Sequence, residues 1–278
     1  MSMSSCPQMD WSTARARLGE AIFAPLTPVL ARLPADRWPT HAELTALAEG
    51  VQTERGRALR FVRPRERNAR ERRNYELHII ETGEVETRAD SWHDLFNALA
   101  WITFPRAKAR INAQHAAILA QGGVAEARRR SPERDALTLF DEGGVIVASA
   151  STALLRLMVD FEWKELFWTR RAELREKVRF LVFGHACYEQ ALEPYIGMVA
   201  KTVFVPVSEF FFMLGPESQI EEADKLVANH FDSRARFASP KSMAPMPLLG
   251  VPGWHFDAQD EAFYDDASHF RSKDREKT

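Results

Sequence analysis

Cysteine is scarce: two residues in 278, Cys6 in a polar N-terminal stretch and Cys187 inside an apolar run. That excludes a disulfide framework and a cysteine-rich zinc site. Charge of one sign is lacking too, since 37 lysines and arginines against 39 aspartates and glutamates leave a formal net charge of -2. No global field draws the chain to nucleic acid or to an anionic membrane. Long apolar runs are missing: the most apolar stretch, MVAKTVFVPVSEFFFML, is interrupted by Lys201, Pro206 and Glu209. The N-terminus lacks the apolar core of a signal peptide, so neither a membrane span nor secretion is expected. These absences point to a reducing cytoplasm. There is no HExxH sequence, no companion cysteine pair and no internal repeat, which removes the common zinc-hydrolase signature and the solenoid folds.

What is present can build a core, because 45% of the residues are hydrophobic and the chain is long enough to bury many of them. We expect one globular domain over residues 11–270, flexible tails at 1–10 and 271–278, and a proline-rich extended arm, 238–270, packed on the domain. Trp11 to Leu33 has helical spacing broken near Pro25 and Pro28, and Pro39-Thr40 opens a short helix that Gly50 ends. YELHIIETGEVETR alternates apolar and polar residues around Thr82-Gly83 and reads as a hairpin; ALTLFDEGGVIVAS reads as a second, turning at Gly143-Gly144. Ser151 to Leu192 reads as mainly helical, Val199 to Val207 as a strand, and Ser218 as the cap of a helix running to about His230. The expected fold is therefore α+β, predominantly helical, with two β-hairpins forming a small mixed or antiparallel sheet.

SWHDLFNALAWITFP, Ser91 to Pro105, reads as one helix with two covered faces. Trp92, Leu95, Phe96, Leu99 and Ile102 make one; His93, Asn97, Trp101 and Phe104 make much of the other. Ser91 and Asp94 have the spacing of a capping box, which accounts for Asp94. His93 and Asn97, four apart on a face that aromatics continue, need partners if buried. Two later helices supply them. Lys108, Asn112 and His115 recur at steps of four and three after Pro105, and FGHACYEQAL is apolar nearly all round except for His185 and Glu189.

The expectation is that His93, Asn97, His185 and Glu189 converge as catalytic residues in a polar pocket. His93, His185 and Glu189 could also ligate a divalent metal with water in the open position, and the chemistry would then be hydrolytic. Arg88, Lys108 and Arg134 would hold an anionic small-molecule substrate, with His115, Asp135 and Asp141 behind the first ligands. Bland readings stand beside these. His185 and Glu189 could be a local pair in a core helix, Lys108 to His115 a solvated edge, and Asp141 and Glu142 simple turn residues. The His93-Asp94 dipeptide is also that of histidine-aspartate phosphohydrolases, with His78 upstream and Asp135, Asp141 or Asp160 as the distant acid. Those folds need the upstream histidine on a helix, and the alternation around His78 predicts a strand.

WHDLFNALAWITFPRAKARINAQH, RDALTLFDEGG, FGHACYEQALEP and PLLGVPGW, in that order, resemble the uncharacterised bacterial domain-of-unknown-function family numbered three thousand and twenty-five. The resemblance runs from about Tyr75 to Arg271. It implies a bacterial, single-domain protein and no particular activity. The family positions matched include Arg88, His93, Asp94, Asn97, Lys108, Asn112, His115, Arg134, Asp135, Asp141, His185 and Glu189.

Three functions compete. One is a hydrolase built on the histidines and carboxylates. Another is a non-catalytic binding module in which RPRERNARERR and Arg128 to Arg130 grip an anionic partner. The last is a structural or interaction protein. The arginine series lacks interleaved aromatics and carries Glu66 and Glu71, so nucleic acid is not the expected partner, and the acidic stretch FDAQDEAFYDD is a candidate for neutralising it.

Overall fold

The computed structural model describes residues 9–65, 75–128 and 131–273. Its centre is a four-stranded mixed sheet of β3 (Gly144–Ser149), β4 (Val178–Val182), β5 (Val199–Pro206) and β6 (Ala244–Pro247), in the order β4-β3-β5-β6. β3 runs antiparallel to β4 and parallel to β5, and β6 closes the edge antiparallel to β5. Every residue of β3 is buried, as a central strand covered on both faces requires. Because successive side chains leave a strand on opposite faces, Val145 and Val147 enter one core while Ile146 enters another. Val178 and Val182 of β4 join the first and Leu181 the second.

The first core takes the N-terminal helices α1 (Trp11–Arg17) and α2 (Thr27–Leu30), joined by a 3-10 turn at Ala21–Leu26. Helix α3 (His41–Leu47) follows, with Thr40 and Glu43 forming a capping box. A separate two-stranded parallel ribbon pairs β1 (Arg60–Val62) with β2 (Glu84–Glu86), and α4 (Tyr75–Thr82) lies between them in sequence. Helix α5 (Trp92–Thr103) runs through this core. Trp92 stacks on Trp11 at 5.4 Å, and Phe96 on Tyr188 at 5.6 Å.

The second core lies against α6 (Pro105–Arg128), α7 (Pro132–Gly143) and α11 (Pro216–His230). Asp224 of α11 caps α6 from a distance in sequence: its carboxylate accepts from the backbone N–H groups of Arg106 at 3.0 Å and Ala107 at 2.8 Å. Helices α8 (Thr152–Asp160), α9 (Arg171–Lys177) and α10 (His185–Ala191) connect the strands.

The α+β class holds, but neither hairpin exists. Tyr75–Thr82 is helical, with Ile79 and Ile80 both buried. The Thr82-Gly83 signal is the helix end, since Gly83, at φ 74°, donates its N–H to the Ile79 carbonyl. An added Cβ there would sit 2.1 Å from the Ala58 carbonyl oxygen. The second supposed hairpin is the end of α7 followed by β3. Ser131 caps α7 and Pro132 opens it, a start signal hidden in RRRSPERD. Ala136, Leu137 and Phe140 are buried at helical spacing, and the partners of β3 come from far along the chain. β4 likewise interrupts the helix read over Ser151 to Leu192.

Of the tail read at 1–10, residues 1–8 lie outside the described residues; the Met9 carbonyl accepts from the Trp92 indole at 2.7 Å, and Asp10 caps α1. The arm at 238–270 contributes β6 and packs Leu248, Leu249, Tyr264 and Phe270 into the first core. Most of the arginine series, residues 66–73, and Arg129-Arg130 lie outside the described residues, as does 274–278. In the acidic stretch Glu261 and Asp265 pair with Lys164, and its expected pairing with the arginine series falls outside the described residues. Among the described residues no helix is long and apolar enough to cross a membrane.

Candidate acid–base site

Two helices bring the histidines face to face. Phe96 sits three residues after His93 and Tyr188 three residues after His185, so the stacked Phe96–Tyr188 pair sets the register of α5 against α10. The Tyr188 hydroxyl donates to the Val182 carbonyl at 2.5 Å, tying α10 to the end of β4. Gly184 lets the chain turn from β4 into α10, because a Cβ there would meet the Glu142 carbonyl oxygen and the Gly144 nitrogen, each at 2.4 Å.

A continuous hydrogen-bonded chain results. His93 Nδ1 lies 2.9 Å from Glu189 Oε2, His93 Nε2 lies 3.1 Å from His185 Nε2, and His185 Nδ1 lies 2.8 Å from the Asp141 carbonyl oxygen. The two rings meet edge to face with centroids 4.5 Å apart. His185 is buried, whereas the side chains of His93 and Glu189 keep 36% and 45% of their exposure, so the chain runs from the interior to solvent.

The proton positions follow from the partners. A carbonyl oxygen only accepts, so His185 carries its proton on Nδ1. Burial pushes the His185 pKa down to about 3, with Lys108 and His93 adding to the effect against the pull of Asp141. Its Nε2 is then a bare lone pair. His93 donates to it, and donates from Nδ1 to Glu189; the hydrogen bond to Glu189 raises the His93 pKa although burial opposes it. One imidazole is thus a buried neutral acceptor, the other a half-exposed cationic donor.

Behind His185 lies a buried ion pair. Lys108, 3% exposed, donates to Asp141 Oδ1 at 2.6 Å and to Asn97 Oδ1 at 2.8 Å, with its ammonium 5.4 Å from the centre of the Trp101 ring. Burial disfavours the Asp141 charge, but Lys108 and His185 together outweigh it and hold the carboxyl below its usual range. His115 is buried and close enough to contribute to that shift. Lys108 therefore belongs to the support of the histidines and is not a solvated edge.

Arg88 is held by Asp94 through both its side chain, at 2.8 and 2.9 Å, and its backbone N–H, at 2.6 Å. The expected capping box is half present: Ser91 caps the Asp94 N–H, but the Asp94 carboxylate reaches back to Arg88. Arg88 lies within electrostatic reach of Glu189. Arg134 and Asp135 occupy the first turn of α7, seven and six residues before Asp141, roughly 9 to 10 Å along the helix axis. Asn112 donates to Glu76 Oε2 at 2.6 Å and packs α6 onto α4.

His78 is helical after all, yet it lies 3.2 Å from Glu84 while Asp94 is taken by Arg88, so the histidine-aspartate constellation is not assembled. The metal triad fares differently from its parts. Glu189 and His185 meet opposite nitrogens of the His93 ring, and a single ion can bind only one of them. Among the described residues no group of three or more His, Cys, Asp or Glu side chains is placed to hold a metal ion.

Sequence reading missed Tyr75. Burial, then the charges of Glu76, Asp141 and Asp94, push its phenol above its ordinary range, so it stays an O–H beside the carboxylates. Reading Tyr75–Thr82 as a helix would have put Tyr75 and Ile79 on one face and drawn it inward.

No curated protein and no solved structure matches the chain. A family model matches residues 59–274, and the chain belongs to the family described as Protein of unknown function (DUF3025).

Proposed function

We propose that the protein is a hydrolase that uses His93 and His185 as an acid–base pair on a small anionic substrate. The observation that carries this reading is the contact between two imidazoles whose surroundings drive their proton affinities apart, the arrangement from which acid and base roles are assigned. A water or substrate hydroxyl that displaces the direct hydrogen bond between the two Nε2 atoms meets a proton acceptor on His185 and a proton donor on His93. Glu189 orients His93 and stabilises its charge; the Asp141 carbonyl fixes the His185 tautomer. Arg88, within electrostatic reach of Glu189 at the exposed end and held in place by Asp94, adds a second positive charge for an incoming anion. We further infer one domain over residues 11–270 in a bacterial cytoplasm. The family resemblance supports this, as does the buried free thiol of Cys187.

The test has two arms. Nitrogen-15 spectra of the histidine rings at pH 6 should show His185 neutral with its proton on Nδ1 and His93 doubly protonated. On whichever p-nitrophenyl ester, phosphate or phosphodiester the wild type hydrolyses, His93→Gln and His185→Gln should each lose about 10²- to 10⁴-fold in rate. A neutral His93 at that pH, or a His93→Gln variant as active as wild type, overturns the reading.

A further inference from the structure

A concavity lies along the free edge of β4, and none of the residues of the histidine chain lines it. Its volume is about 330 Å³, at the lower end of the size that encloses a small organic ligand. The 3-10 turn at Ala21–Leu26, the β4 strand, the start of α11 and the arm around Trp254 surround it. Its walls are apolar apart from Gln219, Arg175 and Arg179, and among the described residues no acidic side chain lines it.

The arginines are the informative part. Arg179 donates only from Nη1, to the carbonyls of Arg175 at 2.7 Å and Val178 at 3.0 Å. Its guanidinium lies over the Phe212 ring, 4.9 Å from the centroid, which fixes the plane of the fork. Among the described residues no carboxylate pairs with Arg179 or Arg175, and Arg179 Nε and Nη2 have no partner. Partial burial lowers the Arg179 proton affinity without discharging a group whose ordinary value is so high. A half-buried, oriented guanidinium with two free donors, next to an apolar cavity without acids, is complementary to a carboxylate on an apolar body.

We propose that this cavity binds a small amphipathic organic acid, a medium-chain or arylalkyl carboxylate, with its carboxylate on the Arg179 fork and its apolar part against Phe180, Pro25 and Trp254. Such a ligand offers two oxygens to the parallel N–H donors, and its hydrocarbon replaces water on the exposed apolar walls. An inorganic anion would leave those walls wet, and a neutral hydrocarbon would leave the fork unused.

Calorimetric titration and Trp254 fluorescence with hexanoate, decanoate and 3-phenylpropanoate, with decanol as the uncharged control, test this on the full chain. At least one acid should bind saturably with one-to-one stoichiometry, and decanol should bind more weakly. Arg179→Met should weaken binding on the order of ten- to a hundredfold, as expected for a lost charged hydrogen bond. Ala24→Phe, from an exposed position on the rim, should abolish it by filling the cavity, with an unchanged melting temperature showing the fold intact. Failure of all three acids to bind at millimolar concentration overturns the proposal. So does equal binding of decanol, or binding that neither substitution affects.

Discussion

Replacing Lys108 with methionine would remove the cation from the interior and leave its partners. In the wild type its ammonium bridges Asp141 and Asn97 at 2.6 and 2.8 Å with 3% of the side chain exposed. Removing one member of a buried pair costs about 3–5 kcal/mol, because the other charge stays behind uncompensated. Asp141 keeps 23% of its side-chain exposure and some hydration, which places the expected loss near the lower end, about 3 kcal/mol. The variant Lys108→Met/Asp141→Asn removes both charges and should recover a large part of that loss, so a double-mutant cycle should give a coupling of about 1.5 kcal/mol or more. The histidines should respond as well. Burial lowers the His185 pKa, Asp141 raises it, and Lys108 and His93 depress it, so without Lys108 the Asp141 charge is less opposed and His185 should titrate higher than in the wild type. Urea denaturation followed by circular dichroism reads the first effect, and ring nitrogen shifts the second. A stability loss below about 1 kcal/mol, the size of an exposed ion pair, would refute the placement of Lys108 as a buried support of the site.

The histidine pair should give stability a maximum close to pH 6.5. His185, at about 3 when folded against about 6.5 unfolded, binds fewer protons folded than unfolded between those values, so its contribution grows as pH rises through that window; His93, raised above 6.5, contributes stability below 6.5 that is lost as pH climbs through its folded value. Glu189→Gln should flatten the alkaline side alone, and melting temperatures from pH 4 to 9 that stay flat above 6.5 in the wild type would contradict this. Gly184→Ala should destabilise by about 1–3 kcal/mol through the overpacked corner with Glu142 and Gly144, and the His93–His185 contact should loosen, seen as a change in the His93 ring shifts; an unperturbed variant would show that the corner can relax. Asp224→Ala should cost about 1–3 kcal/mol, since it strands two N–H groups at the start of α6, and thermal denaturation indistinguishable from wild type would mean that water takes over the cap.

What the sequence could disclose depended on how far away the partner of each residue lies. Helix α5 was legible because its signals are local: Ser91 caps it, and the apolar positions of both faces recur within three turns. The pairing of α5 with α10 was legible for a different reason, since both helices carry apolar residues on nearly every side and each has only a few polar groups to satisfy. Two covered helices with unmet polar groups constrain one another even when 92 residues separate His93 from His185. The strands offered no such constraint. β3 is buried on both faces, so it has no alternation to read, and its partners β4 and β5 begin 34 and 55 residues after its first residue. A local hairpin was then the cheapest explanation of GGVIVAS, and it absorbed the end of α7 by mistake. That error concealed the most consequential atom of the site. Asp141 acts on His185 through its backbone carbonyl, which any residue would supply; what selects that carbonyl is the corner where α7 ends, β3 starts and Gly184 admits the chain from β4. The side chain at 141 answers first to Lys108, and its charge, 3.8 Å from His185 Nδ1, adds to the field on the ring. A motif search over side chains sees the ion pair and is blind to the hydrogen bond that sets the tautomer, so the chemistry of this pair had to come from the fold.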